Sequence, residues 1–135
     1  MSWPVYRIVS LGGGPQDHHA IFVETEEKGP KTGHLYHVFG GLNLPAGMTF
    51  QHRPENEPEE TGNFISLSKE LLGSVAREDF LRVLEICERV PAPEMQFRGR
   101  KRLYPDRPLR ACQEWAAEAI QALRDAEVIK SPESG

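Results

Sequence analysis

Apolar residues in the first part of the chain come in short β-branched and aromatic runs between Gly, Pro and charged clusters, whereas the later part shows helical spacing. Residues 3 to 11, WPVYRIVSL, predict a strand that ends at Gly12, Gly13, Gly14 and Pro15. Asp17 to Thr25 predicts a second strand, Glu26 to Gly33 a polar turn and His34 to Phe39 a third strand, together an antiparallel hairpin closed by Gly40 and Gly41. GMTFQHR, residues 47 to 53, supplies a further candidate strand before the acidic PENEPEETG loop, and Phe64 to Leu67 returns to the sheet. Between Ala76 and Val90 the spacing of Phe80, Leu84 and Cys87, with Leu81 beside them, predicts an amphipathic helix whose first turn carries Glu78 and Asp79 and which Pro91 and Pro93 stop. After an irregular EMQFRGRKRLYPDRP loop, the stripe Cys112, Trp115, Ala116, Ala119, Ile120 and Leu123 predicts a last helix over roughly Leu109 to Ala126.

This order gives an α+β fold in which an antiparallel sheet packs against two main helices. A length of 135 residues suits one compact domain, here 1–130, followed by a frayed tail, 131–135. The apolar fraction of 39% and charged fraction of 27% are ordinary for a globular chain, and the net charge of −4 argues against coating nucleic acid, which needs a concentrated positive surface. No apolar run approaches the roughly 20 residues that span a bilayer, so the expectation is a soluble, cytoplasmic protein without a membrane or nucleic-acid partner. A protein partner remains compatible with this composition.

Only two cysteines are present, which implies no disulfide framework, and each thiol needs its own explanation. Cys87 continues a core-facing stripe and reads as packing. Cys112 also starts such a stripe, but it lies in the first turn of its helix, where unpaired N–H groups and the helix dipole favour negative charge. A cysteine nucleophile needs a histidine to take its proton and a second polar group to orient that ring. Strand alternation puts His18, Ala20 and Phe22 on one side and His19, Ile21 and Val23 on the other, while Leu35, His37 and Phe39 share a side of the neighbouring strand. His18 as base with His37 as its partner is the first arrangement, and His19 in place of His18 is the alternative. His34 and His52 read as turn or surface residues. The HxxH pair His34 and His37 is a weak metal signal, because residues three apart on a strand point to opposite faces, and no metal or other cofactor is expected.

With these residues in view, HHAIFV, LYHVFGG and ACQEWAAEAIQAL resemble the histidine strand, second strand and cysteine helix of the circularly permuted papain-like superfamily, which includes NlpC-type peptidases and lecithin retinol acyltransferase-like enzymes. The chain is more closely similar to a set of small fungal proteins of unassigned activity. The resemblance, spanning about residues 17 to 126, implies a permuted papain-like fold with Cys112 as nucleophile, His18 as general base and His37 as orienting residue. It departs at Ala111, where several branches carry asparagine, and at Gln113.

The implied activity is that of a cysteine hydrolase or acyltransferase attacking the amide, ester or thioester carbonyl of a small-molecule or peptide acyl substrate through an acyl-enzyme. The main-chain N–H of Cys112 is the natural oxyanion donor, with Gln113, Arg110 and Arg102 as weaker oxyanion or substrate-binding candidates. The basic loop 97–110, which adds Arg98, Arg100, Lys101 and Arg107 with Phe97 and Tyr104 interleaved, reads as a site for a carboxylate, phosphate or phosphopantetheine group. A solvated loop balancing the acidic one is the reading that takes precedence over it. The alternative for the whole chain is a non-catalytic binding module that uses the cleft or this loop.

Overall fold

A computed structural model describes residues 1–10, 18–55 and 64–131, with the side chains of Ser10, Glu55 and residues 64–68 left out. The acidic loop and the tail expected from the sequence lie almost wholly outside the described residues. Five strands form one antiparallel sheet: β1 (Ser2–Ser10), β2 (His18–Val23), β3 (Gly33–Gly40), β4 (Met48–Glu55) and β5 (Phe64–Ala76), in the spatial order β4-β3-β2-β1-β5. The first four make a meander, and β5 returns to the opposite edge beside β1. Two helices follow, α1 (Phe80–Arg89) and α2 (Cys112–Asp125), with a two-stranded hairpin, β6 (Phe97–Arg98) and β7 (Lys101–Arg102), between them. The architecture is thus α+β, an antiparallel sheet packed against two helices.

Register decides which residues meet the helices. Val5 pairs with Val23 and Ile21 with Tyr36, and these residues share one buried cluster with Val38, Val83 and Cys87 of α1, and Cys112, Trp115, Ala119 and Leu123 of α2. The alternate residues Ile8, Ala20, Phe22 and Leu35 form a second, smaller cluster on the other side of the sheet. Both faces of the sheet therefore bury apolar side chains, which is why the strands read as near-continuous apolar runs rather than a clean alternation. Burial of Ile120 and Leu123 contributes on the order of 2 kcal/mol each to docking α2.

Several boundaries differ from the sequence expectation. Strand β5 runs on to Ala76, where a helix was expected to begin, and Arg77–Asp79 form a 3-10 turn, so Glu78 and Asp79 precede α1 instead of occupying its first turn. The SKELLGSV stretch hides its strand because two register irregularities against β1 break the period-two pattern. In α1 Val83 and Cys87 are buried and Phe80 and Leu84 pack partly buried against the same core, so the expected stripe faces inward with Val83 beside it, while Leu81 is 76% exposed. Helix α2 starts at Cys112 rather than Leu109, because Ala111 is extended and donates its N–H to Glu114, while the N–H and C=O of Arg110 are both bonded to the Gln96 amide.

Candidate active site

Cys112 is the first helical residue of α2, only 6% exposed, on the helix face turned toward the sheet. No disulfide involves it or Cys87. The amino end of α2 lies over the start of β2. Arg7, the charged residue of β1, makes this visible: its Nε donates to His19 Nδ1 at 3.2 Å and its Nη2 to the main-chain carbonyl of Gln113 at 3.3 Å. One guanidinium thus joins an imidazole on the helix-covered face to the residue directly after Cys112. Arg7 was missed in the sequence, although a lone arginine in an apolar strand, on the side shared with Val5 and Val9, was a usable signal.

His18 and His37 do meet, as their shared side required: His18 Nε2 and His37 Nδ1 are 2.6 Å apart, and His37 Nε2 lies 3.0 Å from Gln51 Oε1. Because the Gln51 carbonyl oxygen only accepts, His37 donates from Nε2 and its Nδ1 accepts from His18 Nε2–H. Burial, followed by the charges of His37, His19 and Arg53, pushes the His18 imidazole down to about 4, so it is neutral at physiological pH.

The expected grouping of Cys112 with His18 and His37 is corrected by the register. Pairing runs without a bulge from Val5–Val23 to Ser10–His18, so strict alternation puts His19 with Ile21 and Val23 on the helix-covered face and His18 with Ala20 and Phe22 on the other. The two-histidine chain and the cysteine therefore stand on opposite faces of the sheet. His37 cannot orient a base for Cys112 from there. The β3 residue whose side chain shares the covered face beside His19 is Val38, which offers no polar group.

The remaining candidates separate as well. Gln113 is exposed, and its carbonyl accepts from Arg7. Arg110 is held by Glu118, at 2.8 and 2.9 Å, and by the Pro91 carbonyl at 2.6 Å, so its guanidinium is occupied in fixing the start of α2. Arg102 lies in a pocket of about 470 Å³ beside Tyr104 and Arg107. His34 and His52 are strand residues rather than turn residues, and His52 is exposed, as the surface reading expected: their rings bond at 2.9 Å, and burial, then His52, lowers the His34 imidazole below its usual value while Glu27 opposes the shift. His34 and His37 fall on opposite faces, as their spacing demanded. Each histidine pair offers two nitrogen ligands, and among the described residues no group of three or more His, Cys, Asp or Glu side chains is arranged to hold a metal ion.

Cys87 is fully buried, and burial pushes its thiol up to about 12, so it stays protonated as a packing residue. No helix among the described residues is long and apolar enough to cross a membrane. A model of the family of unknown function DUF6540 matches residues 5–130, and the chain belongs to that family. No curated protein and no solved structure matches it.

Proposed function

We propose that this member of the DUF6540 family is a thiol enzyme of permuted papain-like type, a cysteine hydrolase or acyltransferase in which Cys112 is the nucleophile and His19 the base. The observation that carries the reading is the Arg7 bridge, which ties the His19 ring and the Gln113 main chain to one side chain at the amino end of α2. The α+β order, with a histidine strand early and the cysteine opening the last helix, is consistent with it.

In the neutral His19 ring the Arg7 bond makes Nδ1 an acceptor and leaves the proton on Nε2. For Nδ1 to take the Cys112 proton, Arg7 Nε must release it, and the Nη2 bond to Gln113 keeps the guanidinium at the helix start while it does. The thiolate then attacks the carbonyl carbon of an amide, ester or thioester. A carbon–sulfur bond forms, the leaving group takes the imidazolium proton, and water or another acceptor later cleaves the thioester. The main-chain N–H of Cys112, at the first helical position, is the donor for the oxyanion. The substrate is a small-molecule or peptide acyl compound, and a cytoplasmic setting suits a reduced thiol.

Alkylation of Cys112 by iodoacetamide, followed by mass spectrometry, tests the pairing. His19→Ala slows it by about tenfold or more, as loss of a general base requires, whereas His18→Ala and His37→Ala leave it within about twofold. Incubation with ester and thioester probes leaves an acyl adduct on Cys112 that Cys112→Ala lacks. Unchanged alkylation in His19→Ala overturns the pairing. A reactive thiol without any adduct leaves the fold as a binding module.

A further inference from the structure

A pocket beside the β6–β7 hairpin lies outside the Cys112 chemistry. Its apolar walls come from Pro91, Ala92, Pro108 and Leu109, and its charged lining is Arg102, Arg107, Arg110 and one carboxylate, Glu94. The three arginines around it are not equivalent. Arg110 is neutralised by the bidentate Glu118 carboxylate, and Arg107 faces Glu94 at 3.8 Å while stacking over the Tyr104 ring at 4.8 Å. Arg102 makes no ion pair among the described residues. Its Nη2 donates to the Arg107 carbonyl, and its Nε–H is buried with no acceptor among them. A buried charged donor without an acceptor is costly unless something supplies one.

We infer that this pocket is a binding site for a small organic carboxylate with an apolar body, its head on Arg102 and its body against Pro91, Pro108, Leu109 and the Tyr104 ring. The competing donors are already consumed. The Gln96 amide donates to the carbonyls of Glu94 and Arg110 and accepts from the Arg110 N–H, and the Ala111 N–H is taken by Glu114. That leaves one uncompensated cation in an apolar surround, which suits a monoanion and gives too few donors for a phosphate dianion. The site does not depend on a reactive Cys112, and it holds equally if the chain is a binding module.

Titration of the ¹⁵N-labelled protein with benzoate, acetate and inorganic phosphate at constant ionic strength tests the assignment. Benzoate gives saturable shifts of the Arg102 Nε–H and of the Tyr104 and Arg107 amides, acetate binds about tenfold or more weakly, and phosphate does not saturate. Arg102→Gln weakens benzoate by about tenfold or more, and Arg100→Gln, on the exposed hairpin turn, does not. The Arg102 Nε–H signal is read on the unaltered protein, so the assignment stands or falls even if Arg102→Gln misfolds. Equal affinity for phosphate and benzoate, or benzoate shifts that leave Arg102 Nε–H unmoved, overturns it.

Discussion

A single position of parity separates His18 from His19, and that position decides their chemistry. His18 faces the smaller cluster, bonds His37 and is held neutral by burial first and then by the electrostatic influence of His37, His19 and Arg53. Its folded-state value, about 4, lies below the unfolded 6.5, so between these pH values the unfolded chain binds a proton that the folded chain refuses. The contribution is therefore fully present above about pH 6.5 and is lost as pH falls toward about 4. For a fully buried ring the shift would amount to about 3 kcal/mol, and solvent screening of the partly exposed His18 reduces the expected loss to about 1–2 kcal/mol. Urea unfolding at pH 7 and pH 4.5 measures it, and His18→Gln flattens the difference. If His18→Gln retains the same pH slope, the neutral His18–His37 chain does not govern acid stability. Cys87 makes a separate prediction: with its thiol pushed up to about 12 and no exposed surface, it resists iodoacetamide in native protein and reacts only after denaturation.

At the level of elements, the junction between the β6–β7 hairpin and α2 rests on a glutamine that the sequence did not single out. Gln96 is 7% exposed, and its one amide satisfies both the N–H and the C=O of Arg110, so the residues before α2 are held as though paired in a sheet. Glu114 completes the junction from inside the helix, its carboxylate accepting from the Ala111 N–H at 2.7 Å. Gln96→Leu fills the space but orphans two buried main-chain groups and the Glu94 carbonyl, and is expected to cost about 2–4 kcal/mol. Glu114→Ala loses one part-buried bond at the helix start and costs about 1 kcal/mol. Thermal or urea denaturation distinguishes the two, and a Gln96→Leu loss no larger than that of Glu114→Ala would remove Gln96 from this role. Strand and helix existence was readable because apolar runs and helical stripes are local signals, as in HHAIFV and in the stripe from Cys112 to Leu123. The junction was not, because a buried glutamine that serves a main chain fourteen positions away leaves no local pattern.

For the whole molecule, the hairpin pairing of His18 with His37 was legible because it follows from alternation within two neighbouring strands. Which side of that hairpin α2 would cover was not legible, since His18-Ala20-Phe22 and His19-Ile21-Val23 each pair one histidine with two apolar residues, and the apolar residues of both sets become buried. The covering side is set by long-range closure, and Gly73 is central to it. Its φ of +150° belongs to glycine, and a β-carbon built there would lie 1.9 Å from the Lys130 carbonyl oxygen. That close approach lets Ser74 and Lys130 exchange main-chain hydrogen bonds at 3.0 and 2.8 Å, which moors the segment after α2 to the edge strand β5 and, through it, α2 to one face. Gly73→Ala must either strain the backbone at this bulge or push Lys130 away, so the expected loss is about 3 kcal/mol or more, with faster amide exchange at Ser74 and Lys130. It should also weaken the Arg7 bridge at the far end of α2, so that Cys112 alkylation changes although the substitution is remote from the thiol. A Gly73→Ala protein with native stability and native exchange at Lys130 would mean that helix packing alone, led by Trp115 and Leu123, selects the face of the sheet that α2 and Cys112 cover.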